Sequence, residues 1–368
     1  MNVPTNSSEE PKLCIILASR LFRSIMVSTP FIHWSDEINK PEKRSNKRFM
    51  RSLLLTAICV VIMPLSAFGN SAFEQWVEKF KAEAVGKGIS ASLVEEAFQG
   101  VEPISRVLEL DRKQPESRMT FVDYRKKIVS TRRIQQGRKM MAQHRALLVE
   151  VGLRYGVQPQ FIVALWGIET NYGKNTGGYD VVEALATLAF DGRRSRYFRT
   201  ELLNAFRILD ARHISLEKMK GSWAGAMGQC QFMPSSFLKL AVDYDGDGRK
   251  DIWTTPADVF ASTANYLTQS GWRGSQIWGR RVQLPSGFHV KMSGLKISKP
   301  LHVWQKSGVR KADGSDLPVA SLNASIVLPD GKGGPGYLVY NNYRVLMRWN
   351  RSTYFATSVG LLADAIAR

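Results

Sequence analysis

The fold is decided by residues 157–173, which read VQPQFIVALWGIETNYG. Pro159 suits the first turn of a helix, because the N–H that proline lacks would have no helical partner there. Gly173 suits the end of the helix, since glycine readily adopts the left-handed backbone conformation found at that point. The residues between them are almost all apolar, so we predict a central helix that is buried on most sides.

This helix carries one acidic residue, Glu169. At helical spacing Glu169 shares a stripe with Ile162, Leu165 and Trp166. A carboxyl group among apolar neighbours is poorly solvated, so its pKa rises and it stays protonated nearer neutral pH, as a general acid must. The alternative is a structural carboxylate that pairs with an arginine or caps a neighbouring helix, and the helix alone does not decide between the two.

Length and charge set the class of protein. A chain of 368 residues with 44% hydrophobic residues can bury one large core or two to three small ones. The formal net charge of +19 favours a polyanionic partner, which could be nucleic acid, anionic lipid or an acidic cell-wall polymer. No nucleic-acid-binding motif and no Lys/Arg run with interleaved aromatic residues is present, so we do not expect a nucleic-acid partner.

The beginning of the chain predicts export. Residues 47–69 have the basic start, the apolar core at 53–65 and the small residues at the end that are typical of a cleavable signal peptide. The apolar core is short for a membrane span, although an uncleaved anchor is the alternative. Residues 1–46 form an N-terminal extension or reflect a start assigned too early, with Met50 as the true start. Removing residues 1–69 leaves a net charge of +15.

Cysteine usage excludes two kinds of stabilisation. Cys14 and Cys59 precede the predicted cleavage site, so Cys230 alone remains in the mature chain. An internal disulfide is then impossible although the compartment is oxidising, and a structural zinc site is not expected.

Hydrophobic periodicity predicts a mainly α (α+β) protein with a small β-rich insertion before the last helix. The predicted domains are a helical domain at 70–150, a catalytic core at 151–277, a β-rich domain at 278–345 and a C-terminal segment at 346–368. The predicted helices are two within 72–99, a long basic one over 121–151, the central helix, and others at 181–190, 199–212, 235–242, 258–271 and 353–367. The predicted strand-like runs are 104–111 (strand or turn), 282–284, 288–292, 301–304, 324–328 and 337–348.

A second motif, GSWAGAMGQCQFMPSS, occupies residues 221–236. Its small residues let backbones or a ligand approach closely. Ser222, Gln229 and Gln231 supply neutral donors and acceptors of the kind that suit sugar hydroxyl and acetamido groups. A loop that serves only tight helix packing is the alternative.

Several motifs in order resemble the lytic murein transglycosylase B family, glycoside hydrolase family 103. They are IETNYG at 168–173, AGAMG at 224–228, QFMPS at 231–235, DYDGDGRKD at 243–251, ANYL at 264–267 and RWNRS at 348–352. The resemblance implies a lysozyme-like helical core that cleaves the MurNAc–GlcNAc β-1,4 bond of peptidoglycan. It also implies that Glu169 first protonates the glycosidic oxygen and then accepts the proton of the C6 hydroxyl as a 1,6-anhydro ring closes.

The absence of a second acidic residue from both motifs agrees with this chemistry. Ordinary glycosidases place two carboxylates across the scissile bond. A hydroxyl tethered within the substrate has a high effective concentration and removes the need to position water. A muramidase-type hydrolase of the same bond and a non-catalytic murein-binding protein are the alternatives.

The resemblance also implies the substrate-binding residues. They are Ser222 and Gln231 beside the acid; Arg193, Arg194 and Tyr197 at saccharide- and peptide-binding positions; and Tyr266, Tyr124, Tyr343 and Trp349 as aromatic contacts. Cys230 departs from the family pattern, which has a small residue there, and we interpret it as a buried thiol.

Residues 243–251 match the start of a calcium loop, with carboxylates at Asp243, Asp245 and Asp247 and the carbonyl of Arg249 at the seventh position. The bidentate glutamate of an EF-hand is missing, and the resemblance suggests that Asp258 closes the site. We expect a structural calcium or sodium ion and no cofactor for catalysis; an acidic turn without metal is the alternative.

These observations together predict a monomer in the periplasm of a Gram-negative-type cell envelope, without a membrane span in the mature chain. The predicted partners are peptidoglycan glycan strands, with peptidoglycan synthases or other wall enzymes as further candidates.

Overall fold

The computed structural model describes residues 65–112 and 119–368, with side chains from residue 72 onward. Fourteen α-helices lie within these ranges. They are α1 (Leu65–Gly86), α2 (Ala91–Ala97), α3 (Ser105–Arg112), α4 (Phe121–Ile128), α5 (Thr131–Gln143), α6 (Arg145–Tyr155), α7 (Pro159–Thr170), α8 (Val181–Phe190), α9 (Ser195–Asp210), α10 (Pro234–Leu240), α11 (Pro256–Gln269), α12 (Leu301–Lys306), α13 (Asn341–Trp349) and α14 (Thr353–Ile366). The strands are β1 (Tyr179–Asp180), β2 (Lys220–Gly221), β3 (Gly279–Gln283), β4 (Lys299–Pro300), β5 (Arg310–Lys311), β6 (Asn323–Val327) and β7 (Gly336–Val339).

The central helix is confirmed as α7. Pro159 is its first residue, and every residue from Phe161 to Thr170 is buried. The helix packs against α5, α6, α11 and α14. It ends three residues before the predicted Gly173, because Asn171 already adopts the left-handed conformation with φ of 51°. Asparagine tolerates this conformation better than most residues, so it can replace glycine at a helix end.

The N-terminal half differs from prediction in two places. Residues 104–111, predicted as a strand or turn, form most of α3. The long helix predicted over 121–151 is three helices, α4 to α6. The first break falls at Ser130, whose hydroxyl accepts a hydrogen bond from the Arg133 N–H and so starts α5.

The β-rich part is a five-stranded antiparallel sheet with strand order β4-β6-β7-β3-β5. It has its own hydrophobic cluster, which includes Val282, Trp304 and Ile326. Three runs predicted as strands are wrong: 301–304 lies in α12, 341–348 lies in α13, and 288–292 contains a 3₁₀ turn. Short apolar runs do not distinguish the two periodicities, which explains these errors.

The mainly helical fold class is therefore confirmed, whereas the proposed domain boundaries stay a prediction. Most of the predicted signal peptide, like the rest of residues 1–64, lies outside the described residues, and positions 65–69 begin α1. Within the described ranges, no helix combines the length and apolar character that crossing a bilayer requires.

Candidate active site

Glu169 lies one residue before the end of α7, and only 5% of it is exposed. Its Oε1 accepts a hydrogen bond of 2.7 Å from the indole Nε1 of Trp349. Burial raises the pKa of Glu169 from 4.5 to about 8, and the Trp349 hydrogen bond opposes this rise. The carboxyl group is therefore largely protonated at neutral pH, which is the state that a general acid needs.

Aromatic rings surround the Trp349 indole. The Tyr266 ring lies 4.6 Å away and the Phe232 ring 5.5 Å away, measured between centroids. Tyr266 is half-buried, and its hydroxyl donates to the carbonyl of Arg348 at 3.0 Å. Of the residues predicted as sugar contacts, Trp349 thus bonds the acid and Tyr266 packs on Trp349. Their contact with a saccharide stays a prediction.

The polar side chains of the loop at 221–233 form hydrogen bonds with backbone groups in and beside the loop. Ser222 is 4% exposed, and its Oγ accepts the backbone N–H of Ala226 at 3.0 Å. Gln231 has a left-handed φ of 51°, and its amide donates to the carbonyls of Thr176 and Gly228. Both side chains therefore shape the loop. Their predicted sugar contacts stay predictions.

Gln229, one of the three polar side chains predicted to suit sugar groups, connects the loop to two other segments. Its Oε1 accepts from the indole of Trp166 on α7 at 2.7 Å, and its Nε2 donates to the carbonyl of Trp253 at 2.7 Å. The Thr170 hydroxyl donates to the Gln229 carbonyl at 3.1 Å, directly beside Glu169. The loop is thereby tied to the end of α7. Nothing in the sequence pattern indicates that this one amide spans two elements.

Two buried carboxylates hold the predicted saccharide- and peptide-binding residues Arg193, Arg194 and Tyr197. Asp111 on α3, 2% exposed, bonds the Arg194 guanidinium and lies 3.3 Å from Arg193 Nη1. Glu201 on α9, also 2% exposed, pairs with the Tyr197 hydroxyl. Burial raises the pKa of both Glu201 and Tyr197. Asp111 was missed because its segment was read as a strand or turn.

One aromatic prediction is wrong and another stays a prediction. Tyr343 is fully buried, and its hydroxyl lies 3.1 Å from that of Thr357, because the side chain fills the core between α13 and α14. It therefore does not face a sugar. Tyr124 is 8% exposed, with its ring 5.6 Å from that of Tyr354. Its role as a sugar contact stays a prediction.

Cys230, which departs from the family pattern, is a buried thiol. It is 2% exposed, and its Sγ lies 3.4 Å from the Val259 carbonyl and 3.5 Å from the Thr263 hydroxyl. Burial raises the pKa of this thiol to about 12, so it stays neutral at physiological pH. The interpretation as a core residue is consistent with these contacts.

The calcium-type loop brings three carboxylates together. Ligand oxygens of Asp243, Asp245 and Asp258 lie within 4.8 Å of one another, and Asp258 is fully buried. Burial, with the neighbouring aspartates, raises the pKa of Asp258 to about 6. An oxygen-only set of close carboxylates fits a hard cation such as Ca²⁺. Asp247 is not part of this group, and its Oδ2 pairs with Arg249 at 3.0 Å. The Arg249 carbonyl as a ligand stays a prediction.

A helical core that buries a glutamic acid at the end of its central helix is the arrangement that the family resemblance implied for a lysozyme-like enzyme that cleaves a glycan. The chain belongs to the family described as Transglycosylase SLT domain, which matches residues 72–364. The resemblance inferred from the motifs is thus confirmed.

Three relatives illustrate this membership. The chain is 34% identical over 260 residues, 67% of each chain, to membrane-bound lytic murein transglycosylase B of Escherichia coli strain K12. Its structure is similar to that of SltB3 from Pseudomonas aeruginosa in complex with NAG-NAM-pentapeptide, with a TM-score of 0.78 and 44% identity over 80% of this chain and 79% of the other. It is also similar to the Escherichia coli lytic transglycosylase Slt35 in complex with calcium, with a TM-score of 0.69 and 30% identity over 79% and 92% of the two chains.

Proposed function

We propose that this protein is a peptidoglycan lytic transglycosylase that cleaves the MurNAc-β-1,4-GlcNAc bond and leaves 1,6-anhydroMurNAc ends, for turnover and remodelling of the wall. The observation that carries the proposal is Glu169, a buried carboxyl whose pKa burial raises to about 8 at the end of α7. The complex of the relative SltB3 with NAG-NAM-pentapeptide supports the class of substrate.

The reaction needs one carboxyl group acting twice. Glu169 gives its proton to the glycosidic oxygen as the bond from that oxygen to C1 of MurNAc breaks, and GlcNAc leaves with the proton. The C6 hydroxyl of the same MurNAc then attacks C1 and passes its proton to the Glu169 carboxylate. No water is consumed, and the acid returns to its protonated form. A pKa near the working pH suits a group that must both donate and accept.

Mass spectrometry of muropeptides released from sacculi tests this function. We expect anhydromuramic ends from the purified mature chain. Reducing ends would instead indicate a muramidase-type hydrolase, and binding to sacculi without release would indicate a murein-binding protein. Glu169→Gln is the control, because it should bind sacculi like the native chain and release nothing.

We also propose that Asp243, Asp245 and Asp258 hold a structural calcium ion, with sodium as the replacement when calcium is scarce. The support is the set of close carboxylates, one of them fully buried. The expected result is a higher Tm in calcium than in EDTA for the native chain and no such difference for Asp258→Asn. Equal Tm values for the native chain in calcium, in sodium and in EDTA would contradict the proposal.

The family places the protein at the cell envelope, and we infer a periplasmic location reached through the signal peptide at 47–69. N-terminal sequencing of the protein recovered from periplasmic extracts tests cleavage after Gly69. We infer a monomer that acts on glycan strands, with peptidoglycan synthases or other wall enzymes as partners. Light scattering on the mature chain, alone and mixed with such an enzyme, tests both inferences.

A further inference from the structure

The hydrogen bond between Trp349 and Glu169 has a fixed donor and a fixed acceptor. The indole Nε1 lies 2.7 Å from Glu169 Oε1, and both side chains are buried. An indole N–H can only donate, and in a neutral carboxylic acid the carbonyl oxygen is a better acceptor than the oxygen that carries the proton. The indole therefore favours Oε1 as the acceptor in both protonation states of the acid. The single proton of the neutral acid then lies preferentially on Oε2.

We propose that Trp349 is a positioning residue that keeps Oε1 as a permanent acceptor and so makes Oε2 the atom that gives the proton to the glycosidic oxygen and takes it back from the C6 hydroxyl. This inference rests on the proposed function and adds the atom through which it works. Trp349 was predicted as a sugar contact, and nothing in the sequence pattern indicated contact with the acid.

The surroundings fix the indole in this orientation. The Tyr266 ring on α11 and the Phe232 ring in the loop pack on it at 4.6 and 5.5 Å. The Tyr266 hydroxyl bonds the carbonyl of Arg348, the residue before Trp349. Two elements outside α13 thus hold the donor in place.

The same hydrogen bond acts on both steps of the reaction. A bond from a neutral donor to a carboxylate is stronger than one to a neutral acid. The indole therefore stabilises the carboxylate that exists between the two proton transfers and opposes the effect of burial. Removing the N–H should raise the pKa of Glu169 and let its carboxyl group rotate.

Other groups near Glu169 do not titrate in the same range. The titratable and charged groups on the surrounding elements include Cys230 in the loop, Tyr266 and Asp258 on α11, Arg348 on α13, Asp364 on α14, Arg133 on α5, His144 before α6, and Glu150 and Tyr155 on α6. Burial raises the pKa of Asp258 to about 6, which stays below that of Glu169. Burial raises the pKa of Tyr266 and of the Cys230 thiol and lowers that of His144, so these three are neutral from about pH 7 to 9. Asp364 bonds the Trp278 indole, away from Glu169.

Trp349→Phe tests the proposal, because it removes the N–H and keeps an aromatic ring. We expect kcat on saturating sacculi at pH 6 to fall on the order of tenfold, and the loss of activity at high pH to begin about one pH unit later than in the native chain. Trp304→Phe is the matched control. It removes a buried indole bond to the Ala324 carbonyl in the sheet and should leave the pH profile unchanged.

If Trp349→Phe does not fold, an NMR titration of the native chain tests the proposal instead. With ¹⁵N-labelled tryptophan, one indole N–H signal should shift over the pH range in which activity is lost, and Glu169→Gln should abolish that shift. An unchanged pH profile in folded Trp349→Phe, or no titrating indole in the native chain, would overturn the proposal. Anhydromuramic products from the native chain in the same experiment show that the proposed function stands even then.

Discussion

Replacing Glu169 by glutamine should abolish turnover and also stabilise the fold, by an amount that grows with pH. Only 5% of Glu169 is exposed, and burial raises its pKa from 4.5 to about 8. Between these two pH values the folded chain binds more protons than the unfolded chain. Linkage then requires the free energy of unfolding of the native chain to fall as pH rises through that window.

The size of the effect follows from the two pKa values. Each pKa unit corresponds to about 1.4 kcal/mol, so ionising Glu169 in place destabilises the fold by at most about 5 kcal/mol above pH 8. Glutamine has no charge to bury, and its amide oxygen can still accept the Trp349 N–H. Glu169→Gln should therefore match the native chain in stability near pH 4 and exceed it by several kcal/mol near pH 9.

Urea unfolding of both chains from pH 4 to 9 measures this difference. Glu102→Gln is the matched control and should show no such trend, because Glu102 is exposed and its carboxylate is hydrated in both states. Release of muropeptides is measured on the same samples. A stability difference that does not change with pH, or that shrinks as pH rises, would refute the reasoning from burial, and retained turnover would refute the acid assignment.

Three further substitutions test the packing around the acid. Gln229→Met removes both hydrogen bonds of the side-chain amide and keeps a side chain of similar length. We expect the free energy of unfolding in urea to fall by about 2 kcal/mol and kcat to fall several-fold. An unchanged free energy of unfolding would contradict the bridging role of Gln229. Tyr343→Phe should cost about 1 kcal/mol and leave muropeptide release unchanged, whereas a collapse of activity would place this side chain at the substrate after all. Gly225→Ala should lower Tm markedly, since φ is +82° and the added Cβ would clash with the Leu185 side chain. A native Tm in thermal unfolding would show that the loop can move away.

The sequence predicted the parts of the site that depend on local pattern. Pro159 starts α7 where expected, and the apolar stripe around Glu169 predicted a poorly solvated carboxyl group, although it left open whether that group is a general acid or a structural carboxylate. The acidic turn at 243–247 and its closing residue Asp258 followed from motif spacing and family resemblance. Each of these inferences uses residues whose relation is set by one helix or one loop.

Most of the errors and omissions concern contacts between distant segments. Asp111 on α3 bonds Arg193 and Arg194, which lie 82 and 83 residues further along the chain, and no local pattern identifies it as a partner. Glu201 is different, because it lies four residues after Tyr197 on the same helix, a spacing at which side chains meet. Tyr343 was assigned to the substrate site from the family resemblance, but α13 turns its ring into the core. This helix was itself missed, because a nine-residue run with alternating apolar and polar stretches resembles a strand.

The acidity of Glu169 is consequently a property of the whole fold. The Trp349 donor lies 180 residues along the chain, and the Thr170–Gln229 bond spans 59 residues. Helix α14, which follows Trp349, packs directly on α7. A peptide with the sequence of α7 would hydrate its glutamate and restore an ordinary pKa. The C-terminal segment therefore helps to exclude water from the acid, and its Trp349 indole donates a hydrogen bond to the carboxyl group.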